Sequence, residues 1–517
     1  MAGQIPLKEK VWEYKKFICT AKCFDLIAGG KIVVLNEDEA HENDLYASHR
    51  VILQAGTKQI VATLDLSNDL VKRGEIGLFS EVCAELGLEG DGRIEIKHMQ
   101  RPSSIEFIKK KMDGHILSKW EIETVMRELM QNRLSEAELA SFITSLYIRG
   151  MTDEEVVGLT KSLVATGQTL QLGKKPICDK HCIGGVAGNR TTMVVVPIIA
   201  AAGLYIPKTS SRSITSASGT ADTLETICSV SFKLDEMRSI VKKSHGCMVW
   251  GGALKLASAD DKLIKIRNPL SLDPRGVMLA SILAKKKSVE AQYVIIDIPI
   301  GRGAKIAGQK EAKELAHDFI SIGKQLGMKI EVLLTDGSEP VGFGIGPSLE
   351  CMDVLTVLNN GGPHDLRIKS CQLAGSLLEL SRKVKKGRGF EVASGILSSG
   401  KALQKFRQIV ELQGGKPNVK IADLPIAKHK YEVVARKTGR VFHIDNKMIS
   451  KIARAAGAPR DKSAGVLLQC ERGDKVKKGD PLFEIFSDSE SKLDFAIKAL
   501  KGWEPVDLEK TVLSSIA

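Results

Sequence analysis

Apolar positions along the chain change their period several times, and each change marks a boundary. Over residues 1–100, short β-branched runs (KIVVLNEDEA, RVILQ and RIEIKH) alternate with glycine or charged clusters, the pattern of strands joined by polar turns. Pro102 follows the last of these runs. From 103 to about 172 the period becomes helical. Ile122, Val125, Met126 and Leu129 recur at helical spacing behind Ser118, and Ser103 or Ser104 is placed to cap SIEFIKKKMDG. Ser135 with Glu138 and Thr152 with Glu155 form capping boxes, while Gly150 and Gly167 stand where helices should stop. A helical bundle with short loops is expected.

Beyond Pro176 the strands lose their alternation. QYVIIDIPI is a continuous apolar run followed by a glycine loop with Arg302 and Lys305, and KIEVLLTDG follows a helix carrying Leu315, Phe319, Ile320 and Ile322. Alternating strands and helices of this kind predict a doubly wound, mostly parallel sheet covered on both faces. From about 430 the pattern returns to turn-punctuated strands. GDKVKKGDPLFEI there resembles the turn and strand of a lipoyl- or biotinyl-type barrel, but the carrier lysine between methionines is absent, which leaves a structural module. The expected fold class is α/β multidomain. It comprises an N-terminal β-rich domain (1–102), a helical bundle (103–177, joined by about 260–290), an α/β phosphate-binding domain (178–428) and a C-terminal α+β barrel-like module (429–517).

Composition narrows the partners. A length of 517 residues exceeds what one core supports, and 43% hydrophobic with 26% charged residues is ordinary for a globular protein. The net charge of +13 comes from scattered lysines, and aromatics are only 5%, which argues against nucleic acid and for a field that gathers small phosphorylated substrates. MAGQIPLKEKVWEYKK has no apolar signal core, and the longest apolar run, around 193–207, is interrupted by Pro197; no membrane role is expected. The 10 cysteines fall at irregular intervals, as reduced thiols in a cytoplasm would. Cys178, His181 and Cys182 have metal-like letters with no second pair behind them, so no metal site is expected.

The stretch from Lys180 to Asp222 carries the chemistry. Lys180 and His181 precede a turn through Gly184, Gly185 and Gly188; Asn189-Arg190 then stands where a P-loop needs Lys followed by Ser or Thr, which excludes that motif. Thr191 and Thr192 open an apolar segment. It closes in a loop of hydroxyls around one arginine, Thr209-Ser210-Ser211-Arg212-Ser213-Ile214-Thr215-Ser216-Ala217-Ser218-Gly219-Thr220. A lysine with hydroxyl and backbone donors satisfies a phosphate dianion. A non-catalytic phosphate- or RNA-binding protein would use the same features, so a reading of a different class stays open.

KHCIGGVAGNRTT, PKTSSRSITSASGTAD, KKKMDGH and LASILAKKK resemble the thymidine and pyrimidine-nucleoside phosphorylase family, in order, from about 103 to the C-terminal module. The extra N-terminal domain, the SSRSITSASGTAD loop and DIPIGRGAKI are similar to its longer branch, typified by AMP phosphorylase. The resemblance implies phosphorolysis: AMP and phosphate give adenine and ribose 1,5-bisphosphate, with CMP and UMP as further substrates. A thymidine or pyrimidine-nucleoside phosphorylase is the alternative. It also implies a homodimer or larger homo-oligomer, with inorganic phosphate as co-substrate and no cofactor.

By the same resemblance, Lys180, Ser210 and Thr220 bind phosphate, and Thr192 is a further candidate from the loop hydroxyls. Gly185, Ser211, Arg212, Ser213, Ile214, Thr215, Ser216, Thr220, Ser281 and Lys305 contact AMP. Asp273 and His181 are the catalytic candidates, and Arg267, Ser281 and Lys285 match base-side positions of the pyrimidine relatives. Asp273 would protonate the purine, which requires burial or a like charge to raise its pKa. Three departures stand out: Cys182 replaces a hydroxyl residue, Ala187 replaces a proline and is expected to loosen the turn, and Arg302 is expected to add charge near the nucleotide phosphate.

Overall fold

The computed structural model describes residues 16–509 except 214, 215 and 255. The chain divides into two compact units, one of residues 1–150 with 262–274 and one of 151–261 with 275–517.

In the first unit, β1 (Lys16–Cys23), β2 (Ile32–Leu35), β3 (Arg50–Ala55), β4 (Lys58–Leu66), β5 (Glu75–Leu78) and β6 (Arg93–His98) close a barrel in the order β1-β5-β2-β4-β3-β6. Closure leaves no sheet edge to be paired by another chain. Inward positions such as Val33, Leu53, Leu64, Ile76 and Ile94 fill it, and short helices α1 (Glu37–Glu42) and α2 (Ser80–Leu86) lie in its connections. Cys23 and Cys83 are joined by a disulfide across 60 residues, so the expectation of reduced thiols fails at this pair while the other cysteines are free. Helices α3 (Ser104–Met112), α4 (Lys119–Met130) and α5 (Glu136–Arg149) follow in the same unit. Ser118 and Ser135 cap α4 and α5 through complete capping boxes with Glu121 and Glu138. Ser103 and Ser104 do not cap α3; both hydroxyls turn instead to the buried carboxylate of Glu128 on α4.

The second unit begins with α6 (Asp153–Ala165), capped by Thr152 and Glu155 as expected. Its sheet contains β7 (Cys178–Cys182), β8 (Ile206–Ser210), β9 (Gly246–Trp250), β10 (Tyr293–Ile300) and β11 (Lys329–Asp336). β11, β10 and β7 pair in parallel, Ile177 bridges Tyr205, and β8 and β9 continue in parallel beyond it. Residues Val294 to Pro299 of β10 are all buried, so both faces of the strand are covered and alternation disappears. The apolar run after Arg190 is α7 (Thr191–Ala201), buried all round and containing Pro197. It packs within a large cluster of buried apolar side chains in this unit. A helix apolar on every side belongs in the interior, and burial outweighs the proline's lost hydrogen bond.

Short helix α8 (Thr220–Leu224) and α9 (Leu234–Ser244) separate β8 from β9, and α10 (Ser258–Arg267) runs across the boundary between the units. Then come α11 (Arg275–Ser288) and α12 (Gln309–Gln325), in which Leu315, Phe319 and Ile322 are buried while Ile320 faces solvent. β12 (Gly344–Ile345) and helices α13 (Pro347–Leu358), α14 (His364–Leu380), α15 (Gly389–Ser398) and α16 (Lys401–Leu412) complete this part. The last section adds β13 (His429–Val434), β14 (Gly439–Ile444), α17 (Asn446–Ala455), β15 (Gly465–Leu468), β16 (Lys475–Val476), β17 (Pro481–Ser487), α18 (Glu490–Ala499) and β18 (Val506–Leu508). These strands form two small sheets, β12-β15-β17-β13 and β16-β14-β18.

Candidate functional site

Strands β7, β8, β9 and β10 run in parallel, so the loops at their carboxyl ends open on the same side of the sheet, where open α/β sheets place their ligands. Lys180 and His181 sit at the end of β7, Ser210 at the end of β8, and Arg302 and Lys305 in the loop after β10. The sequence-predicted residues of the glycine loop and the hydroxyl loop are therefore brought together. Ile214 and Thr215 lie outside the described residues.

Lys180 is only 1% exposed. Its Nζ donates to Thr191 Oγ1 at 2.7 Å at the start of α7 and stands 3.9 Å from Asp297 on β10. Burial pulls this lysine below its ordinary pKa, with Asp297 acting against it. Beneath it, buried Lys286 on α11 donates to buried Asp179 at 2.7 Å, and Lys208 on β8 is buried with its ammonium against the Thr209 carbonyl. Burial, and then Lys286, bring Lys208 down to about 7. His181 is ringed by these cations: burial first, then Lys286, Lys208, Lys180 and Lys285 hold the imidazole well below 6.5, so it stands neutral at pH 7. Lysines here outnumber the carboxylates that face them. An excess of buried positive charge is unfavourable in isolation and becomes favourable when a dianion enters.

The glycine loop is pinned from several sides. Gly185, at φ +93°, takes a left-handed conformation, and a Cβ on it would collide with the Lys305 backbone amide. Ala187 does not loosen the turn: it is buried, its N–H donates to Asn446 Oδ1 at 3.0 Å, and its carbonyl accepts from Val341 N at 3.0 Å. Arg190 is buried against Glu350 and donates to the Ser218 carbonyl at 2.6 Å and to Thr220 Oγ1 at 3.4 Å, which ties this loop to the hydroxyl loop. Thr192 and Thr220 are buried, and Ser210 donates to the Val249 carbonyl at 3.2 Å. The Cys182 thiol accepts from Asn189 Nδ2 at 3.4 Å and is pushed up to about 11, first by burial and then by Asp297; it stays a thiol.

Arg212 is engaged within its own loop. It meets Glu225 at 2.5 and 2.7 Å and Asp222 at 3.1 Å, and its guanidinium lies 4.9 Å from the Trp250 ring centroid. Asp222 also accepts from the Ser213 and Gly219 amides at 2.7 and 3.0 Å. Ser213 and Ser216 hydroxyls bond within the loop, and Ser211 is exposed. Ser281 and Lys285, one turn apart on α11, share the buried Asp260 carboxylate at 2.7 Å each. Arg302 does not add charge toward a ligand; it pairs with Asp507 on β18 at 3.0 Å. Lys305 is exposed and reaches Met278 Sδ at 3.3 Å. In the first unit, Arg267 and Asp273 form an ion pair with each other, and the Asp273 side chain is 39% exposed. The burial that a carboxylic proton donor needs is not found around it.

Sequence reasoning missed Asp179, Lys208, Asp260, Lys286, Asp297 and Lys369. Asp297 alone left a legible mark, as a single charge inside the apolar run VIIDIPI. Among the described residues no group of three His, Cys, Asp or Glu side chains is arranged to hold a metal ion.

Residues 105–167 match the helical bundle domain of the Glycosyl transferase family, 174–403 its a/b domain, and 441–503 the Pyrimidine nucleoside phosphorylase C-terminal domain. Curated relatives include the AMP phosphorylase of Pyrococcus furiosus, 45% identical over 96% of this chain and 98% of that one. The AMP phosphorylase of Thermococcus kodakarensis is 46% identical with the same coverage, and that of Methanosarcina barkeri 44% over 95% of this chain and 97% of its own. Among solved structures, anthranilate phosphoribosyltransferase from Thermus thermophilus superposes with a TM-score of 0.52 at 17% identity, covering 60% of this chain and 99% of that one. That likeness is one of fold.

Proposed function

The chain belongs to the glycosyl transferase family represented by the curated AMP phosphorylases, and on that premise we propose that it phosphorolyses nucleoside 5′-monophosphates. AMP and phosphate give adenine and ribose 1,5-bisphosphate, with CMP and UMP as further substrates. A phosphate oxygen forms a bond to the anomeric carbon as the bond from that carbon to the base breaks; the electron pair leaves with the base, which ends protonated. The observation that carries this reading on the structural side is the buried excess of lysine charge at the ends of β7 and β8, roofed by hydroxyl-bearing loops. Lys180 supplies charge to the phosphate, with Thr192, Ser210 and Thr220 as hydroxyl partners. Such preorganised donors act where charge develops and typically contribute about 10²–10³ in rate each. His181, held neutral, supplies a directed hydrogen bond rather than a second cation.

We assign the 5′-phosphate to Lys305 and to the hydroxyl loop, since the Gly185 turn brings the Lys305 backbone against the phosphate side of the site. Phosphate brings its own charge, and the reaction requires no cofactor or metal. A homodimer in the cytoplasm is the assembly and location we propose; no described helix is long and apolar enough to cross a membrane.

The test is direct. Purified protein with AMP and phosphate should release adenine, and should release none when phosphate is omitted. Release only from uridine or thymidine would support the second reading, a pyrimidine-nucleoside phosphorylase, which the C-terminal domain match and the Ser281–Lys285 pair favour. Running AMP, CMP, UMP, uridine and thymidine side by side separates the two.

A further inference from the structure

Asp297 interrupts an apolar strand and is fully buried. One of its oxygens accepts from Thr335 Oγ1 at 2.6 Å. The other faces two ammonium groups, Lys180 Nζ at 3.9 Å and Lys369 Nζ, on α14, at 3.8 Å. Both are ion-pair distances, too long for a hydrogen bond. Lys180 closes its hydrogen bond on Thr191 instead. Lys369 is 8% exposed, and its Nζ has no hydrogen-bond partner among the described residues. A long cationic side chain kept inside the protein with no donor geometry satisfied is not explained by packing or hydrogen bonding. Its charge, at the same distance from Asp297 as that of Lys180, remains as the explanation.

Coulomb attraction at equal distances divides one carboxylate between two cations. With Lys180 alone, Asp297 would neutralise the phosphate-side ammonium outright and an incoming anion would have to compete with it. With Lys369 on the other side, the pair is already balanced and Lys180 is left in excess. Lys369 also borders a cavity of about 850 Å³, lined by Thr335, Asp336, Gln372 and Ser376 among others, large enough to admit water to that side of the ammonium. The Lys180 side is walled by Thr191 and the start of α7.

We propose that Lys369 is a positioning residue of the phosphate site: it balances Asp297 from behind, so that the Lys180 ammonium keeps its charge for the incoming phosphate. This rests on the reading of the site as one for inorganic phosphate, and it reaches the substrate only through Asp297 and Lys180.

The experiment compares wild type, K369M, K369R and the double variant D297N/K369M. It measures the KM for phosphate, the KM for AMP, and calorimetric binding of inorganic phosphate to the enzyme alone. K369M should weaken phosphate by about tenfold to a hundredfold in both KM and Kd, equivalent to about 1.4–2.8 kcal/mol. The KM for AMP should stay within about threefold, K369R should keep phosphate affinity within about threefold, and the double variant, which removes both charges, should return to within about fivefold of wild type. A purely structural lysine would not be rescued by removing Asp297 as well. If K369M does not fold by circular dichroism, K369R and the double variant carry the test. A folded double variant as weak for phosphate as K369M, or more than about tenfold weaker than wild type, overturns the proposal. Equal losses for AMP and phosphate, or an unchanged K369M, overturn it too. Should wild type bind phosphate without phosphorolysing AMP, and K369M weaken that binding, the functional reading fails while this one stands.

Discussion

Two loops leave neighbouring strands of one sheet and treat their cations in opposite ways. At the end of β7, Lys180 is buried, shares its carboxylate with Lys369, and has Lys208 and Lys286 nearby. At the end of β8, Arg212 is enclosed by Glu225 and Asp222, stacked near Trp250, and joined in its network by Lys462, which meets Glu225 at 2.8 Å. The first loop keeps charge in excess; the second has consumed it. Excess charge binds an anion, whereas compensated charge builds a loop. On the proposed reading, the arginine that dominates the hydroxyl stretch in sequence acts as a strut, and the lysine beside a glycine turn is the group offered to the ligand.

Breaking this comparison takes one substitution on each side. Lys180→Met should lower kcat/KM by about 10²–10³ with little change in melting temperature, the loss expected for one preorganised charge. Arg212→Met should do the reverse. It leaves Glu225 with Lys462 alone and Asp222 without its cation, and destabilises the loop by about 1–3 kcal/mol, read as a lower melting temperature, with a smaller loss of rate. Equal rate losses with an unchanged melting temperature for Arg212→Met would show that Arg212 touches substrate and would erase the contrast.

The next effect sharpens the contrast at the sugar end. If Arg212 is committed to its carboxylates, recognition of the 5′-phosphate falls to Lys305 and to the loop amides. Lys305→Ala should then weaken AMP by about tenfold to a hundredfold, the range for losing a charge-assisted hydrogen bond, and leave adenosine unaffected. The ratio of kcat/KM for AMP to that for adenosine is the readout. A ratio that does not move returns the 5′-phosphate to the hydroxyl loop.

How much of this was legible in the chain depended on how local the physics was. The capping boxes at Ser135 and Thr152 were readable because the cap and its partner lie three residues apart, and Ser118 was readable as a cap although its partner Glu121 was not. The buried strands were readable because covering both faces removes alternation. Ser103 and Ser104 misled because Glu128, 25 and 24 residues on, outcompetes the helix end for their hydroxyls. Lys180 and the hydroxyl loop were legible as a phosphate motif. The charged partners of Lys180 and Arg302 were not: Asp297 and Lys286 lie 117 and 106 positions from Lys180, and Asp507 meets Arg302 across 205 residues. The return of about 260–290 to the bundle was expected only through the family resemblance, and residues 262–274 do fall in the compact unit that holds α3–α5. Arg212 finds its carboxylates 10 and 13 residues on, whereas the charges that surround Lys180 come from distant strands and helices, and single-sequence patterns do not carry those.

The smallest effect concerns protons, and it follows from the same contrast. Glu225 is held down at about 2, first by its hydrogen bond from Arg212, and Arg212 is pushed up by the same bond, so neither group changes charge near neutrality. Lys208 does. Burial and Lys286 bring it from 10.5 to about 7, so at about pH 8.5 its amine is mostly neutral in the empty site. A dianion entering beside it favours the ammonium and raises that value again. Binding must therefore take up protons, between zero and about one per site. Sulfate is the useful probe, because it does not titrate in this range and any proton taken up belongs to the protein. Calorimetry at about pH 8.5, in buffers of differing ionisation enthalpy, should give a slope corresponding to uptake, and Lys208→Met should abolish it. Near pH 6, where Lys208 is already charged, its share of the slope should vanish, and wild type and Lys208→Met should then give the same slope. A slope of zero at the higher pH would mean that the charge awaiting the anion is fixed, and that the β7 loop is as rigid electrostatically as the loop around Arg212.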